Sequence, residues 1–354
     1  MRVAYEVACK CLPRHTHKFS RKDFNLPQLF ACLVLREHQK KSYRGIEALL
    51  RDCPEWLADI GLSRVPDHNT LCRAFAVIMS MKHRVHRMQD AIVKRLLERN
   101  KLGKILAVDS THMERWHSSK YYDYRVAQSH GRDRKSHGNA GRSDAVKGMP
   151  KLGLGVDTAS HVVLSHCTRT GMGSDAPDFE PLLFQAWRRG RVKTVVADAG
   201  YDSEANHRIA RQDMNVRSII PAKVGRPTSK PPSGRWRRLM KERFGRKADA
   251  KSYGQRWQVE TVNSMIKRNL GSSLRARLAK RREMEMTLRV LLLCRQRRVE
   301  TEHPRPCFHN SQLKEKYYLL KTKSGILRKP SISSTAGCAK TFPVLSAPRC
   351  IPTS

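Results

Sequence analysis

Acidic residues are scarce in this chain. Its 354 residues hold 31 Asp plus Glu against 70 Lys plus Arg, a formal net charge of +39. A chain so charged repels itself and attracts polyanions, so nucleic acid or an anionic membrane is the expected partner. Long apolar runs are missing too. No uninterrupted stretch of about 18 apolar residues occurs, which argues against a membrane-spanning helix. The first dozen residues are too charged to read as a signal peptide. Aromatic residues make up only 6%. That is few for the stacking surface with which single-stranded RNA is read, so an RNA-binding, ribosome-associated protein is the weaker alternative. The ten cysteines are scattered without a framework spacing, which suggests reduced thiols in a cytosolic compartment. Cys9-x-Cys11 with His15 and His17 lacks the ligand spacing of a zinc finger. Nucleic acid is the better partner.

The length allows one large domain with an appendage, or two domains. Residues 1–19 read as a basic N-terminal arm. Residues 20–100 read as helical throughout. Asn25-Leu26-Pro27 opens a helix over 26–37, and Tyr43 starts another. Residues 54–60 make a short helix closed by Gly61, and Asp67 or Asn69 caps a fourth that buries Leu71, Phe75 and Ile78. A longer basic helix follows over 79–100. Short helices joined by a tight turn in a basic protein resemble a helix-turn-helix; a bundle that merely supports the next domain reads equally well.

From residue 101 the period changes. Residues 104–109 form a short apolar run ending in Asp109, the pattern of a buried strand. Residues 115–150, rich in His, Arg, Lys, Ser and Gly, read as a loop or long hairpin over the site. A β-hairpin is expected over 152–167 and a helix over 178–187. Residues 191–198 repeat the apolar run ending in an acid, Asp198. A helix over 203–212 and a strand over 216–221 follow, then an insertion over about 223–250. Residues 281–298 form a last basic helix, and 301–354 read as a poorly structured tail.

The segment 253–267 carries Tyr253-(2)-Arg256-(3)-Glu260-(6)-Lys267. On a continuous helix these four side chains fall within about 60° of one another, beside an apolar stripe of Val259, Val262, Ile266 and Leu270. One carboxylate thus sits among cations. Alone, the segment reads equally as a surface helix with an Arg256–Glu260 ion pair, worth a few tenths of a kcal/mol. Two upstream strands each ending in an aspartate tip the balance. Acids at the carboxyl ends of strands converge, because ligands of open α/β sheets bind there. Crowded carboxylates raise their own pKa values, and hard divalent cations such as Mg²⁺ or Mn²⁺ relieve them. Taken singly, Asp109 and Asp198 have a plain alternative as turn and helix caps.

Asp109 in Ala-Val-Asp-Ser-Thr, Asp198 in Val-Ala-Asp-Ala-Gly-Tyr-Asp and Glu260 in the four-residue signature resemble the catalytic residues of the DDE transposases of bacterial and archaeal insertion sequences. Tyr43-Arg44 and Pro66-(3)-Thr70-Leu71 are similar to that family's N-terminal region. The resemblance spans roughly residues 20–300. It implies an α/β fold with a ribonuclease-H-like mixed sheet flanked by helices over 101–300, preceded by an all-helical, helix-turn-helix-like DNA-binding domain over 20–100. The first acid would lie on the first strand, the second on the fourth, and Glu260 on a helix. Asp109, Asp198 and Glu260 would hold two Mg²⁺ (or Mn²⁺) ions, while Tyr253, Arg256 and Lys267 contact DNA phosphates. The implied activity is cleavage at terminal inverted repeats and strand transfer into double-stranded target DNA. It would be carried out by a homodimer in the cytoplasm, associated with the nucleoid. A catalytically inactive DNA-binding descendant is the alternative. Asp175 and Asp202 are expected to be structural or to support the ligands; His112, His130 and His137 are expected to be solvated loop histidines.

Overall fold

Helix-start chemistry organises the amino-terminal third. This computed structural model describes residues 1–98, 102–115, 149–171, 173–223, 232–244 and 247–302, all within one unit, Met1–Pro304. Helix α1 spans Arg2–Cys11, α2 Leu26–His38, α3 Tyr43–Asp52, α4 Pro54–Ala58, α5 His68–Ser80 and α6 Lys82–Glu98. Asn25 and Gln28 close a reciprocal capping box at the start of α2, with bonds of 2.8 and 3.0 Å, and Pro27 occupies the first turn. Asp67, not Asn69, caps α5 by accepting from the amides of Asn69 and Thr70 at 2.7 and 3.1 Å. The basic helix expected from residue 79 starts only at Lys82, because the chain leaves helical geometry at Met81. The stretch read as a basic arm is helical in its first part. Residues 2–11 form α1, which buries Ala4, Ala8 and Cys11 against α2 and α6. Three small apolar side chains at i, i+4 and i+7 form a stripe, and burying it offsets the cost of ordering the segment.

Strand β1 covers Ile105–His112, β2 Glu114–Arg115, β3 Pro150–Asp157, β4 Val163–Thr170, β5 Thr194–Ala197, β6 Arg217–Ile219 and β7 Ser273–Leu274. Five of them form one mixed sheet in the order β4-β3-β1-β5-β6; β2 and β7 pair separately. β1 is antiparallel to β3 and parallel to β5. Every residue of β3 is buried, as expected of a strand covered on both faces. The expected hairpin is β3–β4. Asp109 was expected at the end of its strand, but β1 runs three residues further to His112, because β3 pairs with it along this whole length, from Leu106↔Asp157 to His112↔Lys151. The parallel partner β5 stops earlier, at Val108↔Ala197.

Helix α7 spans Phe179–Arg189 and packs on β3 and β4; α8 is only Glu204–Arg208, continued as a π-helical turn over Ile209–Asp213. The part of the insertion that is described contains two helices, α9 (Arg235–Arg243) and α10 (Lys247–Tyr253). The Glu204 carboxylate accepts from the amides of Trp236 and Arg237, both at 3.1 Å, and so caps α9 from the core. Gly234 precedes that cap at φ +98°, where a Cβ would run into the same carboxylate.

The site helix α11 is Trp257–Leu270, and the last helix, α12, is Ala279–Glu302. The expectation of one continuous helix through 253–267 is corrected. Tyr253 ends α10, a 3₁₀ turn covers Gly254–Arg256, and α11 begins at Trp257. The expected apolar stripe holds, with Val259, Val262, Ile266 and Leu270 all buried. Buried Arg289 of α12 then joins three parts of the chain. It binds Glu37 of α2 at 2.7 Å, Glu285 at 2.8 Å, and the carbonyls of Gly271 and Ser273 at 2.7 and 2.9 Å. The guanidinium thus satisfies the carbonyl just beyond the end of α11 while neutralising two buried acids. The loop expected over 115–150 lies outside the described residues from 116 to 148, with His130 and His137, and so does the tail from residue 303 on.

Candidate active site

Parallel pairing sets the geometry of the site. Val108 of β1 is the register partner of Ala197 of β5, the last pair of that ladder. The next residues are Asp109 and Asp198, on neighbouring strands whose backbones lie about 4.8 Å apart. In chain order β5 is the fourth strand of the five-stranded sheet. Asp198 also caps the short 3₁₀ turn Ala199–Tyr201, accepting from the Gly200 amide at 2.9 Å. Capping and closeness to Asp109 therefore coexist at this residue.

α11 packs along β1. Asn263, one turn beyond Glu260, donates to Asp109 Oδ2 at 3.4 Å. From Asp109 to His112 the strand advances about 10 Å, and from Glu260 to Lys267 the helix advances about 10 Å as well. This match lets the helix face follow the strand: Glu260 and Arg256 act electrostatically on Asp109, and Lys267 on His112. Burial, with the nearby charges of Asp198 and Glu260, pushes Asp109 up to about 6, opposed by the Ser110 amide and Arg256. Glu260 itself points to Arg256, with which it makes an ion pair at 2.5 Å, and its side chain is 51% exposed. Burial pulls the Arg256 guanidinium down, but Glu260, Tyr253 and Asp109 outweigh it and hold it protonated. Burial raises Tyr253, helped by Asp198 and Glu260; its ring packs edge-on against Phe244 at 4.8 Å.

The structure thus brings Asp109 and Asp198 side by side and leaves Glu260 within their electrostatic reach, tied to a cation. Among the described residues no three His, Cys, Asp or Glu side chains stand close enough together to hold one ion. Lys267 is set apart from Glu260 by about two helical turns and acts on His112.

Several neighbours escaped the sequence reading. Ser110 Oγ donates to Asp175 at 2.6 Å, and buried Lys151 pairs with Asp175 at 2.6 Å and with Asp178 at 3.3 Å. A Cβ on Gly200 would sit 3.0 Å from Asp198 Oδ1 and 3.1 Å from Asp175 Oδ2, so Asp175 closes on the site with only a glycine between. Lys151 lay between the loop expected over 115–150 and the hairpin expected over 152–167, where nothing marked it. Asn263 was legible, since it lies three residues after Glu260 and so on the same helix face. His112 is corrected. It belongs to β1, where burial, Lys151 and Lys267 lower its pKa, and its Nε2 is buried without a hydrogen-bond partner among the described residues. Asp202 is structural. Its fully buried carboxylate accepts from Arg237 Nε and the Lys223 amide, both at 2.9 Å. Burial pushes its pKa up, but His207, Arg237 and that amide hold it at about 2.

A family model, the transposase DDE domain, matches residues 100–295, more than half of the chain. The chain belongs to the DDE transposase family. No curated protein and no solved structure matches it. The family implies a DNA substrate, nuclease or transferase chemistry and a divalent metal ion. The residues of this transposase suit such an ion in donor type and charge. Two adjacent carboxylates, one pushed up to about 6 by burial and by its acidic neighbours, present hard oxygens whose repulsion a cation would relieve. Among the described residues, no helix of the transposase is long and apolar enough to cross a membrane.

Proposed function

We infer that this transposase cleaves double-stranded DNA at the ends of an insertion sequence and joins the freed 3′-hydroxyls to target DNA, acting as a homodimer on DNA of the nucleoid. The observation that carries the reading is the register pair Val108↔Ala197, which sets Asp109 and Asp198 side by side under the helix of Glu260. Asp109, Asp198 and Glu260 are the residues that would hold Mg²⁺ or Mn²⁺. Two such ions, when bound, stabilise the attacking and leaving oxygens of an in-line phosphoryl displacement. Arg256 keeps its positive charge beside Glu260 and Asp109, where it neutralises a phosphate and orients the strand. Tyr253 and Lys267 extend that contact along the backbone on either side. The strand order and the position of the second acid after the fourth sheet strand agree with a ribonuclease-H-like core over 101–300, with its insertion at 223–250. The helices of residues 20–100 are its DNA-binding partner domain.

The test is cleavage of a duplex carrying the element's terminal repeat, in Mg²⁺. Asp109→Asn, Asp198→Asn and Glu260→Gln should each abolish cleavage and leave DNA binding largely intact. Undiminished cleavage by any one variant removes that residue from the site. A catalytically inactive DNA-binding descendant is the weaker reading, because all three acids and the cationic helix are retained.

A further inference from the structure

A second concentration of positive charge lies away from the acids. One groove is lined by Arg36, Lys40 and Lys41, around the link from α2 to α3, and by Arg275, Arg277 and Arg281, around the link from α11 to α12. Arg275 donates to the Lys40 carbonyl, and Lys40 Nζ donates to the Arg268 carbonyl at 3.1 Å, so the two walls are joined although they lie more than 220 residues apart. Among the described residues Glu285 is the one acid lining the groove, and it is committed to Arg289 and to the amides of Arg275 and Ala276. Lys41 and Arg277 are exposed and make no carboxylate ion pair among the described residues. The ten-residue helix α3 begins in the groove, adding the partial positive charge of a helix N-terminus. Tyr43, stacked under Arg36 at 4.0 Å, and Leu278, 67% exposed, supply an apolar floor suited to sugar rings.

A second copy of this chain has few acids to set against this cationic groove, 31 Asp plus Glu against 70 Lys plus Arg. Duplex DNA fits it in charge and in distance. From Glu260 to Leu270 the site helix advances about 15 Å toward the groove, which is about four to five base pairs of duplex at about 3.4 Å each. The geometry points to this groove as a seat for the sugar–phosphate backbone of duplex DNA, four to five base pairs from the acid site. The choice of DNA as partner rests on the transposase reading; the charge and shape of the groove do not.

The experiment measures binding of the full chain to a mixed-sequence 40-base-pair duplex (roughly four helical turns) without divalent metal, over a range of salt concentrations. Lys41→Ala with Arg277→Ala should lower the slope of log K against log salt by about 1.8, since each released phosphate contact contributes about 0.9. Arg191→Ala with Lys193→Ala, both exposed at the opposite end of the sheet from Asp198, serves as the control and should leave the slope nearly unchanged. Equal slopes in the two double variants overturn the proposal. So does tighter binding of a polyglutamate peptide than of the duplex, if it is lost in the groove variant, since the partner is then an acidic protein. Cleavage by the wild type is assayed separately. Its absence refutes the catalytic reading, while a shallower slope in the groove variant upholds the seat.

Discussion

Asp109→Asn should make this protein more stable at pH 8 while abolishing the DNA cleavage proposed for it. Asp109 has a pKa of about 6 against an ordinary 3.8, because burial and the charges of Asp198 and Glu260 disfavour its ionised form. That difference corresponds to about 3 kcal/mol at a pH where the group must be charged. Partial solvent access reduces it to about 2–3 kcal/mol. A carboxyl whose folded pKa is raised contributes its stability below about pH 4 and loses it as the pH climbs through about 6. Asparagine never ionises and keeps an oxygen for the Asn263 amide, which now bonds at 3.4 Å. The variant's advantage should therefore be absent near pH 4, appear between pH 4 and 7, and level off above. For a unit of about 300 residues it amounts to a rise in Tm of about 3–5 °C at pH 8. Thermal melts of both proteins from pH 4 to 8, with and without Mg²⁺, read this directly. Mg²⁺ should stabilise the wild type and narrow the gap, because an ion among the carboxylates relieves the same repulsion. A gain that is missing, or that does not change with pH, refutes the placing of Asp109 in a buried acidic cluster.

Three further outcomes follow from other parts of the molecule. Arg289→Met leaves Glu37 and Glu285 buried without their shared cation and should cost about 3–5 kcal/mol, seen as a lower urea midpoint. Gly234→Ala should destabilise by about 1–3 kcal/mol, because a left-handed backbone and the Glu204 carboxylate both oppose a Cβ; an unchanged midpoint would show that α9 is not capped from the core. Lys267→Ala should weaken binding to every DNA sequence alike and reduce the salt slope by about 1, as removal of one phosphate contact does. An unchanged slope would assign Lys267 to His112 alone.

Much of the secondary structure was legible because its signals are local. Asn25 with Gln28, Asp67 ahead of His68, and the apolar runs before Asp109 and Asp198 each act within a few residues. Errors arose where a remote partner decided the outcome. β1 extends to His112 because β3, distant in the chain, supplies hydrogen bonds that β5 does not. Residues 2–11 are helical because a stripe of Ala and Cys finds α2 and α6 to cover it. The single helix expected over 253–267 breaks at a 3₁₀ turn, where Tyr253 packs on Phe244 of the insertion.

By itself the sequence pointed to a polyanionic partner, through its excess of cations, and carried three acids and a cationic signature that resemble those of the family. It also determined which residues of α11 face the core, since a 3.6-residue period needs no tertiary information. Only the tertiary structure decided how those acids meet. Strand register sets Asp109 beside Asp198, and helix packing brings Asn263 rather than Glu260 against Asp109, leaving Glu260 on Arg256. The same holds for Lys151 with Asp175 and for the groove formed by two segments more than 220 residues apart. Charge clusters of this kind are properties of folding in space: each member is an ordinary polar residue in its own stretch of chain, and only pairing and packing add their fields together.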